Sequence, residues 1–296
     1  MPVLVLFAVA VTVGLVVGLV AWRYPRIAKR QAAPTVDTAR KVGETVARYP
    51  RLRALLKARL DPTVATGLAL TLGLVLVIGG GVLFGALTYL VRTNAHLAGI
   101  DKSVARWGNR HASGTSTSAL KDVTQLGSIY VVVVLCVVLA AAETIREKTI
   151  WVVPFILAVM GGEETLTLTV KQLVDRLRPA FNPAAATLGP SFPSGHSATS
   201  AAFYATVALL LGRGRGRPVR ALLTGFAVGV AVAVAASRVL LDVHWLTDVI
   251  AGLSLGWAWF ALCAIAFGGR ILRFGATAEK AARVARSTPR RSVAAK

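Results

Sequence analysis

Apolar residues fall in long blocks along this chain, and the blocks lack the alternating polar positions of half-buried strands or surface helices. Seven blocks are long enough to count: Val3–Ala21, Val64–Val91, Val123–Ala142, Trp151–Val170, Ser197–Leu211, Ala221–Ala236 and Val249–Phe267. A bilayer core about 30 Å thick needs about 20 apolar residues in helical form. The pattern therefore predicts an all-α, polytopic membrane protein of seven spans. The second block is long enough to tilt. The fifth is short and begins inside a polar motif.

Composition agrees. Of 296 residues, 55% are hydrophobic and only 16% charged, with a mean hydropathy of +0.64. The net charge of +21 would suit nucleic acid, but its placement argues against that partner. Basic residues cluster between and after the apolar blocks, where they set orientation. With the N-terminus outside, segments 23–60, 143–149, 212–220 and 268–296 lie inside and carry 25 of the 34 Lys and Arg. The first block has no basic n-region, is longer than a usual signal core, and shows no small-residue cleavage site before Trp22, so it is expected to stay as an anchor. Cys136 and Cys263 lie within apolar blocks, which excludes a disulfide framework or a thiolate metal site.

The expected organisation is an anchor over residues 1–22, a basic cytoplasmic segment over 23–60, a six-helix membrane domain over 64–267 and a basic cytoplasmic tail over 268–296. In 23–60, Arg51, Arg53, Lys57 and Arg59 interleave with Leu52, Leu55, Leu56 and Leu60. That pattern fits an amphipathic helix on an anionic inner leaflet and equally a solvated basic connector.

Three polar clusters share the outer face. The first runs from Lys171 to Arg178 and Pro179, which is expected to end the helix carrying Arg178. The second is Pro193-Ser194-Gly195-His196, opening the fifth span, with Ser191 and Ser197 as expected caps. The third is Ser237-Arg238, then His244 and Asp248, which four-residue spacing would place on one helical face. Lys171, Arg178 and Arg238 are fixed cations, and Arg grips tetrahedral oxyanions with two N–H groups. Ser194 and Gly195 stand at a helix start, where backbone N–H groups and the helix dipole favour phosphate. Asp248 can hold the Nδ1–H of His244 and leave Nε2 as a nucleophile. His196 can protonate a leaving oxygen. Together these groups make a site for phosphoryl transfer through a phosphohistidine. The outer carboxylates, Asp101, Asp122, Asp175, Asp242 and Asp248, are scattered, so no metal and no other cofactor is expected.

These clusters match K-x-x-x-x-x-x-R-P, P-S-G-H and S-R-x-x-x-x-x-H-x-x-x-D at every fixed position. The chain thereby resembles the type 2 phosphatidic acid phosphatase family, which includes lipid phosphate phosphatases, undecaprenyl diphosphatase-like enzymes, glucose-6-phosphatase and vanadium haloperoxidases. The resemblance covers about residues 64–267 and implies the family's six-helix core, with one extra N-terminal helix. It implies His244 as nucleophile, Asp248 as its partner, His196 as acid, and Lys171, Arg178, Ser194, Gly195 and Arg238 on phosphate.

Some residues stay open at this stage. Arg176 either joins the phosphate cradle, pairs with Asp175 or faces water. Glu163 and Glu164 lie deep in the fourth span; Glu164 either lines a headgroup path or packs. His96 and His111 are read as structural. Asn109, His111 and Thr115 fall in a first outer loop to which the sequence assigns no chemistry.

The expected activity is hydrolysis of a lipid phosphate or diphosphate at the outer membrane face. Substrates in view are an isoprenoid carrier diphosphate, phosphatidate, phosphatidylglycerol phosphate or a prenyl phosphate. A haloperoxidase-like vanadate site is disfavoured by the spans. A non-catalytic lipid-phosphate binder or transporter is disfavoured by the intact histidine pair, because binding needs only the cations.

Overall fold

The computed structural model describes residues 2–31, 65–93, 95–147 and 149–271. Among them nine α-helices and one short 3₁₀ helix occur, with no strand. They are α1 (Pro2–Gln31), α2 (Ala65–Thr93), α3 (Ala95–Arg110), α4 (Gly114–Gln125), α5 (Ile129–Glu147), α6 (Val152–Val174), the 3₁₀ helix Pro183–Leu188, α7 (Gly195–Gly212), α8 (Arg217–Leu240) and α9 (Leu246–Ile271). The basic segment 23–60 beyond residue 31 and the tail beyond residue 271 lie outside the described residues. Helix α1 itself continues past the expected anchor boundary at residue 22.

Among the described residues, six helices are long and apolar enough to cross a membrane: α1, α2, α5, α6, α8 and α9. The protein is thus a multi-pass membrane protein. The fifth expected span, now α7, does not reach that standard of apolarity, and the reason is its position. Eleven of its 18 residues are buried, because α5, α6, α8 and α9 all pack around it. A helix wrapped in protein can carry Ser197, Thr199, Ser200 and Thr206 without exposing them to lipid. In α2, by contrast, only 6% of the most apolar stretch is buried, so lipid-facing residues dominate.

Glycines allow the closest approaches. A Cβ on Gly252 of α9 would fall 2.5 Å from the Ser194 carbonyl oxygen. Only a bare backbone there lets α9 press against the start of α7. A Cβ on Gly14 of α1 would fall 2.7 Å from Gly225 O of α8, and one on Gly18 3.2 Å from Ala221 O. This descending register makes α1 and α8 antiparallel, joined by a stripe of small residues.

Two expectations about the elements need correction. Segment 92–122 is not a loop but carries α3 and most of α4. The third span begins at Ile129 and not at Val123, because Leu126–Ser128 form a turn that separates α4 from α5. A Cβ on Gly127 would lie 2.9 Å from His196 O, so this turn is wedged against the second motif.

Candidate active site

The ends of α6, α7, α8 and α9 bring the three motifs together at one end of the bundle. Helix α6 stops at Val174, where Asp175 adopts a left-handed conformation (φ 46°) and its N–H donates to Lys171 O at 3.0 Å. Arg176 and Arg178 therefore sit on the loop that follows, four residues earlier in the ending than Pro179 suggested.

Arg178 is the most connected side chain of the site. Its Nε donates to Gly189 O at 2.8 Å, and its Nη2 reaches Leu188 O at 3.3 Å and Pro190 O at 3.2 Å. Its Nη1 donates to Val243 O at 2.7 Å and lies 3.2 Å from His244 Nε2. Lys171 Nζ donates to Pro190 O at 2.8 Å. Both cations thus hold the 188–190 loop, and Arg178 sets it beside His244. Burial pulls the Arg178 guanidinium below its ordinary value while Asp248 opposes the shift; it stays protonated at neutral pH.

That charge fixes the His244 tautomer. A guanidinium is donor only, so the Nε2 it touches carries the lone pair. The ring proton is then on Nδ1, which faces Asp248 Oδ2 at 3.5 Å, a loose contact. Burial brings His244 down to about 4; Asp248 opposes this, and Arg178 and Arg238 reinforce it. The imidazole is neutral at physiological pH. His244 and Asp248 do not share a helical face as expected: His244 precedes α9, and Asp248 sits in its first turn, with Oδ2 accepting from Trp245 N at 2.9 Å.

Arg238, nearly buried on α8, donates from Nη1 to Thr124 Oγ1 at 3.1 Å, while its buried Nε has no partner. The Arg238 carbonyl accepts from Val243 N at 3.2 Å and His244 N at 3.3 Å, tying the His244 backbone to α8. His196, half-buried at the start of α7, lies within electrostatic reach of Arg238, His244, Lys171 and Arg178. Ser194 is the N-cap of α7, yet its side chain makes no capping bond; its N–H donates to Asp248 O at 3.0 Å. Gly195 is the first helical residue. The expected caps do other work: Ser197 Oγ donates to Ser194 Oγ at 3.0 Å, and Ser191 Oγ donates to Leu177 O at 3.2 Å.

Arg176 points away from the phosphate cradle. Its Nη1 donates to Asp248 Oδ1 at 2.5 Å and Thr247 Oγ1 at 2.8 Å, and its Nη2 donates to Asp101 Oδ2 at 2.7 Å. Sequence reading counted Asp101 among scattered carboxylates and passed over Thr124 and Thr247. No local signal marks them, since their partners lie 71 to 146 residues away. Glu163 is fully buried and accepts from Thr167 Oγ1 at 2.7 Å and from Thr199 Oγ1 at 3.0 Å, which joins α6 to α7. Glu164 is partly exposed beside it. His96 and His111 lie apart from the cluster, His111 Nδ1 bonding to Trp107 O at 2.8 Å. Among the described residues, no three His, Cys, Asp or Glu side chains converge as a metal site.

Comparisons with known proteins place this arrangement. Residues 151–271, which include all three motifs, match the model of the PAP2 superfamily. Phosphatidylglycerophosphatase B of Bacillus subtilis is 30% identical over 196 residues, covering 64% of this chain and 94% of the relative. A lipid A 1-phosphatase of Rhizobium johnstonii is 44% identical over 72 residues, or 24% of this chain and 25% of the relative. The crystal structure of a transmembrane PAP2-type phosphatidylglycerolphosphate phosphatase from Bacillus subtilis aligns with a TM-score of 0.62 at 29% identity. It covers 68% of this chain and 99% of that one. The motifs, the helical bundle and these relatives agree, and the chain belongs to the PAP2 superfamily as a membrane phosphatase of the type 2 phosphatidic acid phosphatase family.

Proposed function

We propose that this phosphatase hydrolyses a lipid phosphate through a phosphohistidine on His244, at the extracytoplasmic face of the membrane. The observation that carries the reading is the 3.2 Å approach of Arg178 Nη1 to His244 Nε2, which sets a cationic fork and a nucleophilic lone pair at one point. A phosphoryl oxygen that accepts the Nη1–H hydrogen bond in place of Nε2 frees the Nε2 lone pair. Nε2 then attacks phosphorus, the P–O bond to the lipid breaks, and His196 gives its proton to the leaving alkoxide. Lys171, Arg178, Arg238 with its unpaired Nε, and the start of α7 at Ser194 and Gly195 meet the charge on the equatorial oxygens. Water, deprotonated by His196, then cleaves the N–P bond and releases inorganic phosphate. No metal is needed in these steps.

The relatives' names support a glycerophospholipid phosphate such as phosphatidylglycerol phosphate over an isoprenoid diphosphate. Phosphate release by purified protein from a panel of both classes ranks them. His244→Ala should lose about 10⁴-fold or more in turnover, with acid-labile phosphate trapped only in the parent. Substantial turnover by the variant would end the nucleophile assignment. Activity that survives a chelator and yields to vanadate supports the metal-free route, because vanadate copies the five-coordinate phosphoryl group.

The excess of Lys and Arg in the segments away from the site supports the proposed orientation, which makes α7 the seventh crossing. The exposed Leu188 and Arg215 lie at opposite ends of the bundle. Leu188→Cys should react with an impermeant thiol reagent from outside the cell and Arg215→Cys should not; the reverse pattern would put the site inside.

A further inference from the structure

The Asp101 carboxylate is 1% exposed and comes from α3, far in sequence from the three motifs. Its Oδ1 accepts from Thr247 N at 3.0 Å, one of the otherwise unpaired N–H groups at the start of α9. Its Oδ2 accepts from Thr247 Oγ1 at 2.6 Å and from Arg176 Nη2 at 2.7 Å. Arg176 in turn lies 5.4 Å from the Trp245 ring and bonds Oδ1 of Asp248, whose other oxygen faces His244. The order of charges is carboxylate, guanidinium, carboxylate, imidazole.

We propose that Asp101 and Arg176 are positioning residues for the nucleophile, holding Asp248 in place and keeping one net negative charge behind His244. This rests on the reading of His244 as nucleophile. Arg176 alone would fix the Asp248 carboxylate but also neutralise it. Asp101 offsets that positive charge, so the imidazole gains an oriented partner and the cationic phosphoryl-imidazole retains a counter-charge. The other groups facing His244 are all cationic or neutral: Lys171 of α6, Arg178 of the loop after it, His196 of α7 and Arg238 of α8. Helix α3, which reads as a loop in the sequence, thus contributes to the chemistry without touching substrate.

Asp101→Asn keeps the shape and an acceptor for Thr247 but removes the charge. It should lower kcat by about 10- to 100-fold with KM within about twofold. It should also move the acid limb of kcat/KM toward lower pH by about half a unit or more, since the imidazole loses a negative neighbour. Substrate titration is common to parent and variant and cancels. Arg176→Gln alone leaves two buried carboxylates without their cation and is expected to fold poorly. Asp101→Asn combined with Arg176→Gln restores the net charge, and its acid limb should return to the parent position although kcat stays low. Arg176→Lys, which keeps the charge but cannot bridge both carboxylates, should leave the limb in place and lower kcat.

Melting in detergent establishes that each variant is folded. Parent-like kcat in Asp101→Asn, or a loss of kcat with an unmoved limb, would overturn the positioning role. If His244→Ala remained active, the nucleophile reading itself would fail. An inactive His244→Ala beside a parent-like Asp101→Asn would remove only this inference.

Discussion

Charged side chains gather at both ends of this bundle, and the two gatherings are built differently. At the end away from the motifs, the Glu143 carboxylate on α5 is 1% exposed and clamped by Arg146 at 3.0 Å and Arg213 at 2.7 Å. Arg146 also reaches Leu210 O at 3.1 Å, at the end of α7. With Glu147, whose Oε1 lies 3.2 Å from Arg146 Nε, two carboxylates face two guanidiniums, and bonds close on protein. At the motif end, Lys171, Arg176, Arg178 and Arg238 stand with two carboxylates, Asp101 and Asp248, both of which bond Arg176 alone among these cations. Arg238 Nε is buried without a partner. A balanced cluster is a clamp; an unbalanced one with an unpaired buried donor is suited to a doubly charged anion. Sequence charge alone does not separate the two, because each is rich in arginine.

Substitutions can break this contrast. The two largest effects should follow Arg178→Lys and His196→Ala. A single ammonium cannot hold loop carbonyls and phosphate with one fork, so kcat/KM should fall by about 10²- to 10³-fold. A loss under tenfold in a phosphate-release assay would show that the guanidinium serves the loop alone. His196→Ala removes the proposed acid. A general acid is worth about 10²- to 10⁴-fold for an alkoxide leaving group, and most of that should vanish with p-nitrophenyl phosphate. Equal losses on both substrates would make His196 a phosphate ligand only.

Glu143→Gln should do the opposite of both. Leaving two arginines without their carboxylate should lower the melting temperature in detergent by about 5 °C or more. Turnover at low temperature should stay within about twofold. A selective loss of kcat would mean that the two ends are coupled through α7.

The pH dependence sharpens the motif end further. Burial holds His244, the proposed nucleophile, down at about 4. Activity limited by this group should persist below pH 6.5 and fade only as pH approaches 4. The stability contribution of that neutral ring is present above pH 6.5 and is lost as pH falls from there to 4. Asp242 runs the other way: burial pushes its carboxyl up to about 6, so its cost to stability appears as pH rises through 6. The smallest expected effect is therefore a gain in melting temperature for Asp242→Asn at pH 8 that shrinks at pH 5. A gain of equal size at both values would trace it to the backbone at φ 53° instead.

The sequence carried the motif end well where chemistry demanded fixed spacing. Lys171, Arg178, His196, Arg238, His244 and Asp248 are drawn to one place because their helices all end there. It carried the supports poorly. Asp101 and Thr124 act through pairings across 75 and 114 residues, and α3 and α4 are too short and polar to show as apolar blocks. One local signal was present: Ser113 and Ser116 form a capping box at the start of α4. Helix α7 showed in the sequence only as the shortest of the apolar blocks, Ser197–Leu211. Its protein-facing serines and threonines hide the apolar signature that lipid imposes on the others.

The glycine seam between α1 and α8 has a consequence for how the protein is made. Gly14 and Gly225 are separated by most of the chain, so α1 enters the bilayer long before its partner is synthesised. Until then its small-residue stripe faces lipid, or any other helix with a matching stripe. Helices α5, α6 and α7 pack against near neighbours in the chain, and α9 packs against α7 and the early α2; none of these contacts needs α1. The ribosome thus delivers the seam's first half early and its second half late, and the docking of α1 waits on the clock of translation, as does that of α2 on α9.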